Sequence, residues 1–182
     1  MKKILTKSLT GIVALHFAIV AYAASDEAKA NYKAAKENAE ATYKVARDKC
    51  NTLASNAKDV CIAEAKANEN RSKANAEAQY ENTPKARMKA RIAAAEADYD
   101  VAKEKCNAHT GNAKDVCIKE AKAVYTKAKV DAQSSKEIGD IKSDAAHDKR
   151  DANYDVAIEK CDSLTGSAKD ACVSSAKSKF GK

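Results

Sequence analysis

The sequence has no tryptophan, two phenylalanines, one proline (Pro84) and five glycines. So few prolines and glycines leave few points at which a helix would be interrupted. Large apolar residues are also scarce: from Ala24 onward Leu, Ile, Val and Phe together number 17, against 36 alanines. Such a chain cannot build a thick core. Nor can it present the bulky Trp, Phe or Leu face that a helix lying on a membrane needs. Beyond the first twenty or so residues no apolar run approaches the ~20 residues of a spanning helix. A Gly-rich phosphate loop, a nucleophile elbow, a His-Glu-x-x-His helix and a Cys-x-x-Cys pair are all missing, and with them the usual grounds for an enzyme.

What remains is alanine and charge. Ala, Lys and Glu are among the strongest helix formers, and Asp, Glu, Lys and Arg make up 32% of the chain. The expected fold class is all-α. Acids and bases are interspersed, as in "EAKANYKAAKENAEATYKVARDK", which suits a solvated helix surface rather than a nucleic-acid footprint.

The first residues read as a secretory leader. Lys2, Lys3 and Lys7 precede an apolar stretch from Leu9 to Val20, and Ala21-Tyr22-Ala23 supplies the small-x-small cleavage pattern. Cleavage is expected before Ala24, which makes residues 1–23 a signal peptide and the mature chain periplasmic or secreted, without stable membrane insertion. Removing three lysines leaves 30 basic and 26 acidic side chains, a net charge of +4 rather than +7. No nucleic-acid partner is expected.

Three segments align without gaps: "YKVARDKCNTLASNAKDVCIAEAKA" from Tyr43, "YDVAKEKCNAHTGNAKDVCIKEAKA" from Tyr99 and "YDVAIEKCDSLTGSAKDACVSSAKS" from Tyr154. Each has the grammar of a helical hairpin. Gly111 and Gly166, with Ser55 in the first copy, suit the left-handed residue that ends a helix. Asn56, Asn112 and Ser167 follow as expected N-caps. Asp59, Asp115 and Asp170, three residues further on, complement the N-terminus of the next helix.

The cysteines fit this hairpin. Cys106 lies five residues before Gly111 and Cys117 five residues after Asn112, so antiparallel helices would bring them face to face. Six cysteines allow fifteen connectivities. Repeat symmetry favours the structural disulfides Cys50–Cys61, Cys106–Cys117 and Cys161–Cys172, which an oxidising compartment would permit.

Heptad-like seams of Ala and Tyr extend from these pairs. Before Cys106 the seam runs Ala102, Tyr99, Ala95, Ile92 and Met88; before Cys50 it runs Ala46, Tyr43, Ala39, Ala35 and Tyr32. After Cys117 it is expected through Ala121, Val124, Ala128 and Ala132. Asn68 and Ser72 after Cys61, and His147 and Arg150 before Tyr154, interrupt it. Thr83 and Pro84 suit an N-cap and first helical position, and Gly139 marks a second junction that could be a turn or a kink. The expected units are 24–82, 83–138 and 139–182, each a coiled-coil-like hairpin repeat, extended or loosely bundled.

The chemistry left open is thin. His109 takes the place of Leu53 and Leu164, and His147 sits near a boundary. Neither has a catalytic partner in the pattern, so no catalytic residue, cofactor or metal site is expected. The cysteine pairs, with ten residues between partners, do not match zinc spacing. The alternative is that reduced thiols facing one another hold a soft ion or a small ligand.

At "YDVAKEKCNAHTGNAKDVCIKEAKA" and "AIEKCDSLTGSAKDACVSSAKSKFGK" the chain resembles a group of exported Ala/Lys-rich proteins of Gram-negative bacteria. Some of these are labelled as similar to TolA, an envelope protein with a long Ala/Lys/Glu-rich periplasmic helix. The sequence shows neither TolA's N-terminal anchor nor its mixed α/β C-terminal domain. The resemblance therefore implies a periplasmic location and an envelope-related role, and transfers no catalytic or binding residue. The function expected is non-enzymatic: a structural, scaffold or envelope-associated protein that binds a protein partner, or itself, through helical seams.

Overall fold

The structure, a computed structural model, describes residues 16–182, with side chains from Asp26 onward. It is all-α and pinned by three disulfides. The helices are α1 (His16–Lys49), α2 (Ser55–Glu81), α3 (Pro84–Cys106), α4 (Gly111–Asp162) and α5 (Gly166–Phe180), with one 3-10 turn at Cys50–Thr52. The expected leader, residues 1–23, lies at the N-terminal end, mostly outside the described residues. Among the described residues no helix is long and apolar enough to cross a membrane.

The chain divides into two compact units, one ending at Lys129 and the other spanning Val130–Lys182. In the first, α2 packs against both α1 and α3. Ala65, Glu69 and Ala76 are buried on the α1 side, whereas Asn68 and Ser72 line the same groove but are exposed, and Asn68 also borders Asp98 and Val101 of α3. Ala74 and Ala78 pack with Ala86 and Ala90 of α3. An alanine interface lets two backbones approach closely but buries little area, at about 25 cal/mol per Å². Charge pairs flank it: Glu64 with Lys105 at 2.8 Å, and Arg71 with Asp98.

The α2–α3 junction is a turn for local reasons. Asn82 is left-handed (φ 47°), and its N–H closes α2 onto the Ala78 carbonyl at 3.0 Å. The Thr83 hydroxyl accepts from the Ala86 N–H at 3.0 Å, and Pro84 opens α3. At the second junction, which the sequence allows as a turn or a kink, there is no turn: α4 runs through Gly139 without ending. A lone glycine weakens a helix by only about 1 kcal/mol, and no proline stops this one.

In the second unit α4 and α5 are joined at Cys161–Cys172. Tyr154 meets Phe180 edge-on, with centroids 6.2 Å apart. Lys182 reaches back to Asp151 at 2.7 Å.

Candidate functional site: the disulfide-closed hairpin tips

The three tips are built alike. The helix before each turn closes with the same hydrogen bond, 3.0 Å from the N–H three residues on to the cysteine carbonyl. The donors are Leu53 to Cys50, His109 to Cys106, and Leu164 to Cys161. The chain then extends, at Ala54 (φ −127°, ψ 163°) and Thr165 (φ −132°, ψ 158°). A left-handed residue follows: Ser55 (φ 49°), Gly111 (φ 56°) or Gly166 (φ 57°).

This corrects the expected caps. The left-handed residue opens the incoming helix instead of ending the outgoing one, because the turn at the cysteine carbonyl has already closed the latter. Asn56, Asn112 and Ser167 therefore lie inside their helices, one residue past the start. The N-cap positions of α2 and α5 belong to Ala54 and Thr165, and neither makes a side-chain cap bond. The Asn56 side-chain oxygen is buried without a hydrogen bond. Asp59, Asp115 and Asp170 are exposed and lie beyond the first turn, which holds no acid in α2, α4 or α5. The helix-end charge effect fades over that distance.

The cysteines join as repeat symmetry suggested: Cys50–Cys61, Cys106–Cys117 and Cys161–Cys172, each with Cα atoms 5.7 Å apart. Cys50, Cys106 and Cys161 are fully buried, whereas Cys61, Cys117 and Cys172 are half-buried. No cysteine is free. A disulfide sulfur is not a thiolate, so in this oxidised form the pairs offer no soft-ion ligand.

Behind each disulfide stands an aromatic, seven residues before the first cysteine: Tyr43, Tyr99 or Tyr154. In the second hairpin Tyr99 stacks on Tyr125 at 5.6 Å, and the Lys122 ammonium lies over both rings, at 5.2 and 4.7 Å. In the first, the corresponding Lys66 lies 5.0 Å above Tyr43. The walk along the α4 seam is corrected here: Val124 points outward, 69% exposed, and the neighbouring Tyr125 takes its place. Bulk explains the choice, since an aromatic ring can bridge to Tyr99 across a gap that valine would leave open. Further along α1 and α2, Tyr32 stacks on Tyr80 at 5.0 Å.

One position departs from the pattern. Eight residues after the second cysteine come Tyr125 and Phe180, but in the first hairpin Glu69 stands there. It is 5% exposed. Lys66 donates to one carboxylate oxygen at 2.8 Å and Lys73 to the other at 2.7 Å; Lys73 also bonds Glu40 at 2.7 Å. Burial pushes the Glu69 carboxyl up, but the two lysines outweigh it and hold it below its ordinary range. The same network raises Lys73 and lowers Glu40, each chiefly through their mutual hydrogen bond. Sequence alone showed this site only as a faulty seam.

Among the described residues no group of three or more His, Cys, Asp and Glu side chains is arranged to hold a metal ion. His109 is an exposed turn residue, and His147 lies 3.3 Å from Asp151 on the surface of α4. No family model matches the chain, and no curated protein or solved structure matches it.

Proposed function

We propose that the chain is a non-enzymatic scaffold or spacer of the cell envelope, periplasmic or secreted, that engages a protein partner or another copy of itself through its helical faces. The observation that supports this best is the threefold use of one device. Three disulfides span the same eleven-residue separation at the same 5.7 Å, each closing a loop worth roughly 3 kcal/mol. They hold together helices whose alanine seams bury little. Disulfides of this kind suit an exported protein. The resemblance to exported Ala/Lys-rich envelope proteins points the same way. The surface left over is charged and helical, a form suited to binding other helices.

The test is cell fractionation followed by chemical crosslinking in intact cells. The expected result is a chain shortened by residues 1–23 in the periplasmic or secreted fraction, crosslinked to one or a few partners or to itself. A reduced, full-length cytoplasmic chain without defined crosslinks would overturn the proposal.

A further inference from the structure

Residues 141–150 of α4 are exposed at every position. They lie, with the turns just before them, wholly within the compact unit Val130–Lys182. In a chain so poor in large aliphatics, this stretch presents two isoleucines to solvent, Ile138 at 52% and Ile141 at 61% exposure. Ser134 precedes them and Ala145 follows, in steps of four, three and four residues. That is the a/d spacing of a coiled-coil seam. The seam does not face α5. Between Ile141 and Cys161, whose disulfide joins α4 to α5, the helix turns by about 200° beyond whole turns.

The residues beside the seam divide by charge. With Ile138 at a and Ile141 at d, the g positions hold Glu137 and Asp144, and the e positions hold Lys142 and Lys149. One flank is acidic and the other basic. All four side chains are exposed, and among the described residues none of the four has an ion-pair partner. Lys136 and Asp140, on the outer side of the helix, pair with each other instead. Two parallel helices set the g flank of one against the e flank of the other. Glu137 would then meet Lys142 and Asp144 would meet Lys149, each pair formed twice by symmetry. In antiparallel helices acid would face acid and base would face base. The stretch is therefore complementary to itself, in one orientation. Asp148 at the next d position ends the apolar stripe, which confines the contact to about two heptads and keeps it weak.

From this we infer that two copies of the chain associate in parallel through residues 134–149 of α4. Ile138 and Ile141 of each copy pack against the same residues of the other, so the contact is isologous. The inference deepens the scaffold reading by naming a second copy as partner, and rests on that reading for its use of a helical face.

The test is sedimentation equilibrium of the oxidised protein. The wild type is expected to dimerise at about 0.1 mM or below. Ile141→Gln should weaken the dimer by about tenfold or more. Its site is exposed in the single chain, so helical circular dichroism and melting of the dilute monomer should stay unchanged. Glu137→Lys sets lysine against Lys142 of the second copy and should weaken the dimer by about threefold or more. Adding Lys142→Glu to that variant should restore it. A wild type that stays monomeric to about 1 mM, a dimer indifferent to Ile141→Gln, or a dimer tightened by Glu137→Lys, as antiparallel helices require, would overturn the inference. A monomeric chain that still crosslinks an envelope protein defeats this inference alone. A dimeric chain that is never exported defeats the envelope reading alone.

Discussion

Glu69 occupies in the first hairpin the position that Tyr125 occupies in the second, eight residues after the second cysteine, and both turn into the seam. One hairpin fills that position with a ring stacked on Tyr99; the other fills it with a carboxylate held by Lys66 and Lys73. Replacing a buried ion network with well-packed apolar groups is often neutral or stabilising, whereas removing one member of it is costly. Glu69→Tyr should therefore melt at or above the wild-type temperature, with its ring against Tyr43. Glu69→Ala should lose about 1–2 kcal/mol. Thermal melts of the oxidised proteins decide the matter.

The same network sets a pH dependence. Glu69 and Glu40 lie below their ordinary value of 4.5, so their contribution is present above that pH and fades as pH falls through the lowered value. Lys73 lies above 10.5, so its contribution holds below that pH and fades as pH rises further. The stabilisation is full between these limits. The gap in melting temperature between wild type and Glu69→Gln should be constant near neutrality and close in acid. A gap that persists unchanged in acid would contradict it.

Ser55 holds a left-handed backbone that glycine holds in the other two tips. A side chain there costs about 1 kcal/mol or more. Ser55→Gly should accordingly stabilise the first hairpin by about 1 kcal/mol. Gly111→Ala should destabilise the second by a similar amount through backbone strain alone, because a Cβ there meets nothing within 4 Å. Denaturant melts read both.

Gly139 lies inside α4, and a Cβ there also meets nothing within 4 Å. Gly139→Ala should strengthen the helix by about 1 kcal/mol and slow amide hydrogen exchange around Ile138 and Ile141. Unchanged exchange would show that α4 is interrupted there.

What could be read from the sequence was whatever is decided locally or repeated three times. The cysteine pairing followed from symmetry about the turn, and Thr83–Pro84 from cap chemistry that spans four residues. The caps after each tip could not be placed so easily. "Gly-Asn" fits both the end of one helix and the start of the next, and the extended backbone at Ala54 and Thr165, which decides between them, leaves no residue signature. Choosing between Val124 and Tyr125 required knowing the phase of α4 against Tyr99, which steps of three and four leave open. The burial of Glu69 had a signal after all. Continued two residues past the aligned segments without a gap, the same register sets this carboxylate against Tyr125 and Phe180, an exchange of packing for charge.

The most direct test of the account is the mass of the protein isolated from cells, with and without reduction, followed by peptide mapping under non-reducing conditions. The protein should carry six hydrogens fewer than the fully reduced chain, with Cys50 linked to Cys61, Cys106 to Cys117 and Cys161 to Cys172. Six free thiols, or links that cross from one hairpin to another, would contradict it and move the cysteines from structure to ligand chemistry.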